Sequence, residues 1–162
     1  MAEQIPNQLN LAEDQAGYRD IREEHLRIEA AKENCDIIYS LWDELLLDID
    51  DAAKRLDVPF VGDWLACFDL DVVECFGWRS KTGNQHFKIR VSRSMDANLQ
   101  SLLQMALGSD IKRELMNQRR NKAYGSPSNV LFHPKNARVH QMDIFAANWF
   151  VPYYTEENEC TR

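Results

Sequence analysis

Two carboxylates spaced by one residue are the first groups in this chain that could do chemistry. They lie in Asp69-Leu70-Asp71, inside the stretch Trp64 to Phe76, whose β-branched and aromatic residues predict a strand. Alternate side chains of a strand project from one face, so Asp69 and Asp71 could share one divalent cation. Oxygen ligands of this kind suit magnesium or manganese bound together with substrate phosphates. The pair is therefore a candidate metal site.

A basic turn with a histidine follows this pair. The segment Ser80-Lys81-Thr82-Gly83-Asn84 predicts the turn of a β-hairpin, because Gly and Asn favour tight turns. The second strand of the hairpin runs from His86 to Val91 and alternates polar and apolar residues. A hairpin of this kind would place His86 on a strand next to the carboxylates. A further aspartate, Asp143, follows the apolar Met142.

Three of these segments resemble the catalytic motifs of the archaeo-eukaryotic primase-polymerase family. They are Phe68-Asp69-Leu70-Asp71, the run Ser-Lys-Thr-Gly-Asn-Gln-His that ends at His86, and Met142-Asp143, so the resemblance covers residues 68–143. It implies that Asp69, Asp71 and Asp143 ligate magnesium or manganese in a nucleotidyltransferase. It also implies that His86 holds the incoming triphosphate and that Arg79, Lys81 and Lys88 steer phosphates.

The same residues also fit a structural interpretation. Asp69 and Asp71 could pair with Arg79 or Lys88 across the hairpin, and exposed pairs of that kind contribute only about 0 to 1 kcal/mol. His86 could be a surface residue of the hairpin, and Asp143 could cap a final helix. Between a catalytic protein and one that binds its partner without catalysis, the second is the preferred prediction.

Charge is segregated along the chain, although the net charge is only −7. Residues 1–76 hold 6 Lys/Arg and 19 Asp/Glu, whereas residues 77–138 hold 12 Lys/Arg and three Asp/Glu. A field this uneven indicates either a polyanionic partner, such as single-stranded or other nucleic acid, or an acidic half that neutralises the basic half. The candidate nucleic-acid-binding residues are Arg79, Lys81, Lys88, Arg90, Arg93, Lys112, Arg113, Arg119, Arg120 and Lys122.

The acidic half predicts helix. No Gly or Pro occurs between Gly17 and Pro59, and apolar residues recur every seven positions, as at Ile21, Ile28 and Ile49. Such a stripe is typical of a coiled coil, or of a helical hairpin with a break near residues 48–51. It would need a partner, which could be the sheet of the same chain, a second copy or another protein.

Helices and strands are both expected in the basic half. Ser94 is the expected N-cap of a helix through Leu107, and Asp110 caps a second helix that uses Ile111, Leu115 and Met116 for the core. Residues 129–133 predict a short strand that ends at Pro134, and residues 139–150 fit either a strand or a helix.

The predicted fold is α+β, with a long N-terminal helix followed by a small, mostly antiparallel sheet packed with helices. We expect a flexible segment over residues 1–17, an acidic helical region over 18–58, a basic α+β domain over 62–155 and a flexible tail over 156–162.

Composition predicts a protein of the cytoplasm, or of the nucleus or interior of a host cell. The first ten residues are polar, and no apolar run approaches the roughly 20 residues that span a bilayer. Cys35, Cys67, Cys75 and Cys160 show no zinc-site spacing, so reduced thiols are expected.

Two main functions remain open from the sequence. The first is nucleic-acid binding in a replication, mobile-element or phage-related system, with or without nucleotidyl chemistry. The second is a protein-interaction module, an inhibitor or adaptor, that acts through the acidic helix. A structural subunit that forms homo-oligomers is a third possibility.

Overall fold

The structure is a computed structural model that describes residues 8–50, 56, 60–125, 127, 129–147 and 149–152, with side chains from residue 19 onward. Of the predicted terminal segments, residues 1–7 and 156–162 lie outside the described ranges. The elements in chain order are α1 (Gln8–Lys32), β1 (Cys35–Tyr39), β2 (Glu44–Ile49), α2 (Val61–Ala66), β3 (Val72–Arg79), β4 (Gln85–Val91), α3 (Ala97–Ala106), α4 (Ile111–Tyr124), β5 (Val130–Pro134) and β6 (His140–Gln141). No helix in the described part of the chain is both long and apolar enough to cross a bilayer.

Two antiparallel sheets form the framework, which confirms the α+β prediction. One has four strands in the order β2-β4-β3-β6, and the other pairs β1 with β5. The predicted β3–β4 hairpin is present, with Arg79 opposite Gln85. Its turn is closed by a bond of 2.9 Å from the Ser80 amide to the Asn84 carbonyl. Gly83 has a φ of 89°, a value that residues with a Cβ rarely adopt.

The main core lies on one face of the four-stranded sheet. Alternate residues of β2 and β4 point to this face because side chains of a strand alternate between its two sides. Helices α2 and α3 cover the face, and the C-terminal segment completes it with two buried side chains. The core residues from these elements include Leu45, Leu47, Ile49, Val61, Leu65, Phe87, Ile89, Leu103, Leu107, Trp149 and Val151.

The opposite face of the same sheet carries charged side chains. Lys88 contacts Glu44 at 2.8 Å and Arg90 contacts Glu74 at 2.8 Å, so these cations are neutralised by carboxylates of neighbouring strands. The β1–β5 sheet packs over part of this face through a small cluster in which Leu46, Trp78 and Leu131 are buried.

Helix α4 buries a polar face. Ile111, Leu115 and Met116, predicted as core residues, are 61%, 52% and 54% exposed, so that prediction is wrong. The residues turned inward are instead polar. They are Glu114, Asn117 and Asn121. The reason is that α4 packs against α3 where α3 presents Gln100 and Gln104, and hydrogen bonds replace apolar contacts at this junction.

The predicted helix over residues 18–58 is wrong beyond Lys32. Helix α1 ends there, Asn34 adopts a φ of 50°, and the chain continues as β1 and β2. Leu45 and Ile49 fit a helical stripe, but together with Leu47 they also fit a period of two, and the pairing of β2 with β4 decides between the two patterns. Ile21 and Ile28 on α1 are 62% and 44% exposed, so the sheet does not bury this stripe. A helix after the predicted break would begin in residues 51–55, which lie outside the described ranges.

Three smaller predictions are also corrected. The strand expected from Trp64 begins only at Val72, because residues 61–66 form α2. The N-cap of α3 is Asp96, whose side chain accepts bonds from the amides of Asn98 and Leu99, instead of Ser94. Of residues 139–150, only the short strand β6 is regular among those described.

Candidate functional site

The structure places Asp69 and Asp71 in the connection between α2 and β3. Neither residue is on a strand, and Asp69 has a φ of 56°. The argument that both side chains share one strand face therefore does not apply. The Asp69 carbonyl accepts a 3.0 Å bond from Arg93, and the Asp71 amide donates to the Ser92 hydroxyl at 3.0 Å. Both aspartates are exposed.

Asp143 lies after β6, and the other two aspartates precede β3. The preceding amide, that of Met142, bonds the carbonyl of Cys75 in the middle of β3. The Asp143 carboxylate accepts a bond of 3.0 Å from the amide of Phe145 and caps a turn. Across the described ranges, no group of three or more His, Cys, Asp or Glu side chains could hold a metal ion. The three aspartates of the sequence prediction are thus not brought together in a metal centre.

His86, in contrast, lies inside the protein. It is 6% exposed, and its ring meets the Trp78 ring edge-on with centroids 5.7 Å apart. Its Nε2 atom is 3.1 Å from Oδ1 of Asp48, the residue opposite it on β2. The interpretation of His86 as a surface residue of the hairpin is therefore wrong.

Asp48 also contacts Arg113. Its Oδ2 atom is 2.6 Å from Nη1 of Arg113, which comes from the first turn of α4. The other end of this guanidinium donates to Oδ1 of Asn129 at 2.8 Å and to the carbonyl of Val130. The three side chains form a row, in the order His86, Asp48 and Arg113, and we call it the row below. Its contacts join β4, β2, α4 and the start of β5.

The electrostatics of this row favour an ionised Asp48. Desolvation raises the pKa of this carboxyl, but the bond from His86 and the charge of Arg113 outweigh it and lower the pKa below its ordinary value. The pKa of Asp50 is raised, first by burial and then by the charges of Asp48 and Asp110. Negative charge is therefore concentrated at this end of β2.

A cavity of about 420 Å³ opens beside the row. We call it the turn cavity, because the hairpin turn forms one wall through Ser80, Lys81, Thr82 and Asn84. The facing wall is β5, with Val130, Leu131, Phe132 and Pro134. Asp48, His86 and Arg113 also line it. The volume falls in the range of small-molecule sites, roughly 300 to 1,000 Å³.

Sequence reasoning missed the carboxylates of this site. Asp48-Ile49-Asp50 has the same i, i+2 spacing as Asp69-Leu70-Asp71, and its first member lies opposite His86. The signal was present in Glu44–Ile49, where a strand-like alternation ends in the acidic pair. The heptad pattern hides it, because that pattern places residues 48–51 at the break of a helical hairpin.

The chain matches no known family model, no curated protein and no solved structure. The geometry of the site and of the charged surfaces therefore carries the functional argument.

Most of the predicted nucleic-acid-binding residues have partners inside the protein. Arg79 donates to the carbonyls of Val151 and Gly83 and lies over the Phe150 ring at 5.0 Å. Lys81 pairs with Glu33 at 3.0 Å. Carboxylates or carbonyl groups of the protein also engage Lys88, Arg90, Arg93 and Arg113.

The remaining predicted residues lie on α4. Lys112, Arg119 and Lys122 are exposed, and Arg120 is half-buried near Arg22. With Leu115 and Met116, the three exposed cations form one stripe at helical spacing, which we call the α4 outer face. This face is basic and apolar together, and it lies on the side of α4 opposite the buried polar residues.

Proposed function

We propose that the protein binds nucleic acid through the α4 outer face. The observation that carries this proposal is that Lys112, Arg119 and Lys122 are exposed and form no ion pair with any side chain in the described ranges. Their ammonium and guanidinium groups are the donors that nucleic-acid phosphates require.

The distribution of the other cations supports this choice of surface. Lys88 and Arg90 are already paired with Glu44 and Glu74, and a phosphate would have to displace those carboxylates. Cations without a carboxylate partner can neutralise phosphates and release counterions, which supplies most of the affinity of non-specific binding. The α4 outer face therefore has an advantage over the hairpin.

The dimensions of the face suit a backbone contact. Lys112 and Lys122 are ten positions apart, which corresponds to about 15 Å along a helix axis. A nucleic-acid backbone presents several phosphates over that length. Trp78 and Phe87, which would suit base stacking by type, are 3% and 0% exposed, so stacking by these two rings does not contribute.

A salt titration with matched variants tests this proposal. Binding of a fluorescein-labelled 20-nucleotide single strand is followed by anisotropy between 20 and 200 mM salt. Arg119→Glu/Lys122→Glu should weaken binding at least tenfold and lower the slope of log K against log salt by about 1.4, since each phosphate contact with a single strand contributes about 0.7.

The control carries the same change of charge elsewhere. Lys32→Glu/Lys135→Glu alters two exposed lysines at the end of α1 and after β5. It should stay within threefold of the unmodified protein. Equal losses in both double variants would show a non-local effect of net charge. No binding at 20 mM salt would contradict the proposal and favour a protein-interaction module.

A second candidate function is nucleotidyl transfer of the primase-polymerase type. The observation that favours it is the placement of Asp48 near the end of β2 and of Asp50 directly after it, beside the hairpin that carries the Ser80-to-His86 motif. An acidic pair next to this motif is what the sequence resemblance implies, with Asp48 and Asp50 in the positions expected for Asp69 and Asp71.

The two aspartates suit a metal ion only in part. The oxygens of Asp48 already contact His86 and Arg113, whereas Asp50 is the exposed member of the pair. Magnesium is often bound by one or two carboxylates together with substrate phosphates. When bound in that way, it would neutralise phosphate charge, and Asp50 would be the carboxylate available to hold it.

Primer extension with Asp50→Asn and Asp71→Asn distinguishes the two acidic pairs. If the candidate function is correct, a primed template with nucleoside triphosphates and manganese is extended by the unmodified protein and by Asp71→Asn, but not by Asp50→Asn. Loss in Asp71→Asn alone would instead support the pair predicted from the sequence. No extension by the unmodified protein at any metal concentration would remove this candidate.

A further inference from the structure

The turn cavity has one apolar wall and one polar wall. The apolar wall comes from β5, where the half-buried Phe132 lines the cavity together with Val130 and Pro134. Aromatic and aliphatic surfaces of this kind hold the face of a planar ring by stacking and burial. A flat heterocycle would match this wall.

The polar wall is the hairpin turn, which offers hydroxyl and amide groups. The hydroxyls of Ser80 and Thr82 are 3.0 Å apart, and Asn84 completes the wall. Ser80 Oγ also accepts a bond from the Asn84 amide, which fixes the position of this hydroxyl. Hydroxyl and amide groups exchange hydrogen bonds well with an uncharged polyol such as a sugar.

Charge in the cavity is already balanced. Lys81 is paired with Glu33 at 3.0 Å, and Arg113 is paired with Asp48 at 2.6 Å, and all four residues line the cavity. Asp50 adds negative charge nearby through its bond to Asn84. A bare phosphate would therefore face as many carboxylates as cations, whereas an uncharged ligand disturbs neither pair.

From these three observations, we infer that the turn cavity binds an uncharged nucleoside, with the base against Phe132 and the sugar against the Ser80-to-Asn84 turn. This binding site is separate from the α4 outer face and does not depend on the proposed nucleic-acid contact. It also does not require a metal ion.

Isothermal titration with adenosine and uridine, in buffer containing a chelator, tests the inference. At least one nucleoside should bind with a Kd below about 1 mM, and its triphosphate should bind more weakly under the same conditions. Phe132→Ala should weaken nucleoside binding about tenfold, which corresponds to the loss of one base-stacking contact. Phe132→Leu keeps most of the volume and should show a similar loss if Phe132→Ala does not fold.

Matched variants separate this inference from the proposed nucleic-acid contact. Phe145→Ala removes a ring that is 84% exposed and does not line the turn cavity, so nucleoside binding should stay within twofold. Arg119→Glu/Lys122→Glu should also leave nucleoside binding unchanged. The inference is overturned if no nucleoside binds at 5 mM, if Phe132→Ala binds as the unmodified protein does, or if the triphosphate binds more tightly than the nucleoside without metal.

Discussion

Asp48→Asn is the substitution whose effect the structure predicts most fully. Each oxygen of the Asp48 carboxylate faces a different side chain, at 3.1 Å from His86 and 2.6 Å from Arg113. The amide of Asn keeps the shape but is uncharged and turns its NH₂ group toward one of these donors, so one contact is weakened and the other becomes repulsive.

The size of the loss follows from burial. The side chains of Asp48, His86 and Arg113 are 22%, 8% and 20% exposed, so the row lies between a fully buried pair and a surface pair. Removal of one partner costs about 3 to 5 kcal/mol in the first case and 0 to 1 in the second. We therefore expect a loss of about 2 kcal/mol in the free energy of unfolding at pH 7.

The loss should depend on pH. Because His86 and Arg113 lower the pKa of Asp48 despite desolvation, the carboxylate contributes stability above its pKa in the unfolded chain. That contribution disappears as the pH falls through the lower pKa of the folded state. The difference between the two proteins should therefore be complete at pH 7 and shrink below about pH 4.

Urea unfolding followed by tryptophan fluorescence at pH 7, 5 and about 3 measures this difference. Asp71→Asn is the control, because Asp71 is exposed, and it should change stability by less than about 0.5 kcal/mol. The reasoning would be refuted if Asp48→Asn were as stable as the control at pH 7, or if its loss were the same at about pH 3.

Three further substitutions test the packing. Gly77→Ala places a Cβ atom 2.7 Å from Cγ2 of Val151 and should lower the free energy of unfolding by about 1 to 3 kcal/mol, measured by urea unfolding. Asp96→Ala removes the cap of α3 and should lower it by about 1 kcal/mol, whereas Ser94→Ala should have little effect; equal losses in these two would contradict the assignment of the cap. Leu115→Gln should leave the thermal midpoint nearly unchanged, since the side chain is 52% exposed, and a loss of several degrees would show that α4 is turned the other way.

The hairpin and the second capped helix could be predicted from the sequence because both depend on local signals. Gly83 and Asn84 mark a turn, and Asp110 accepts a bond from the amide of Arg113 at the start of α4. Signals of this kind lie within a few residues of the structure that they determine.

The features that were missed depend on contacts between distant residues. Glu44–Ile49 forms a strand because β4 pairs with it, about 40 positions later, and no local pattern excludes a helix there. The orientation of α4 depends on the amides of α3, so apolar periodicity alone identified the wrong face. Asp48 becomes part of a candidate site only after β2 and β4 are adjacent.

The buried hydrogen bonds of α4 also restrict which substitutions the helix can accept. Glu114 accepts bonds from Gln104 at 2.5 Å and from Ser109 at 2.8 Å, and Asn121 donates to Gln100 at 3.3 Å. Apolar contacts tolerate small rotations, but hydrogen bonds are directional, and a shift of one residue turns the helix by about 100°. These hydrogen bonds therefore fix the rotation of α4 about its axis. The same rotation decides which residues of α4 face outward. In a randomised library, the inward positions should accept few residue types, and the outward stripe should accept many while the protein still folds.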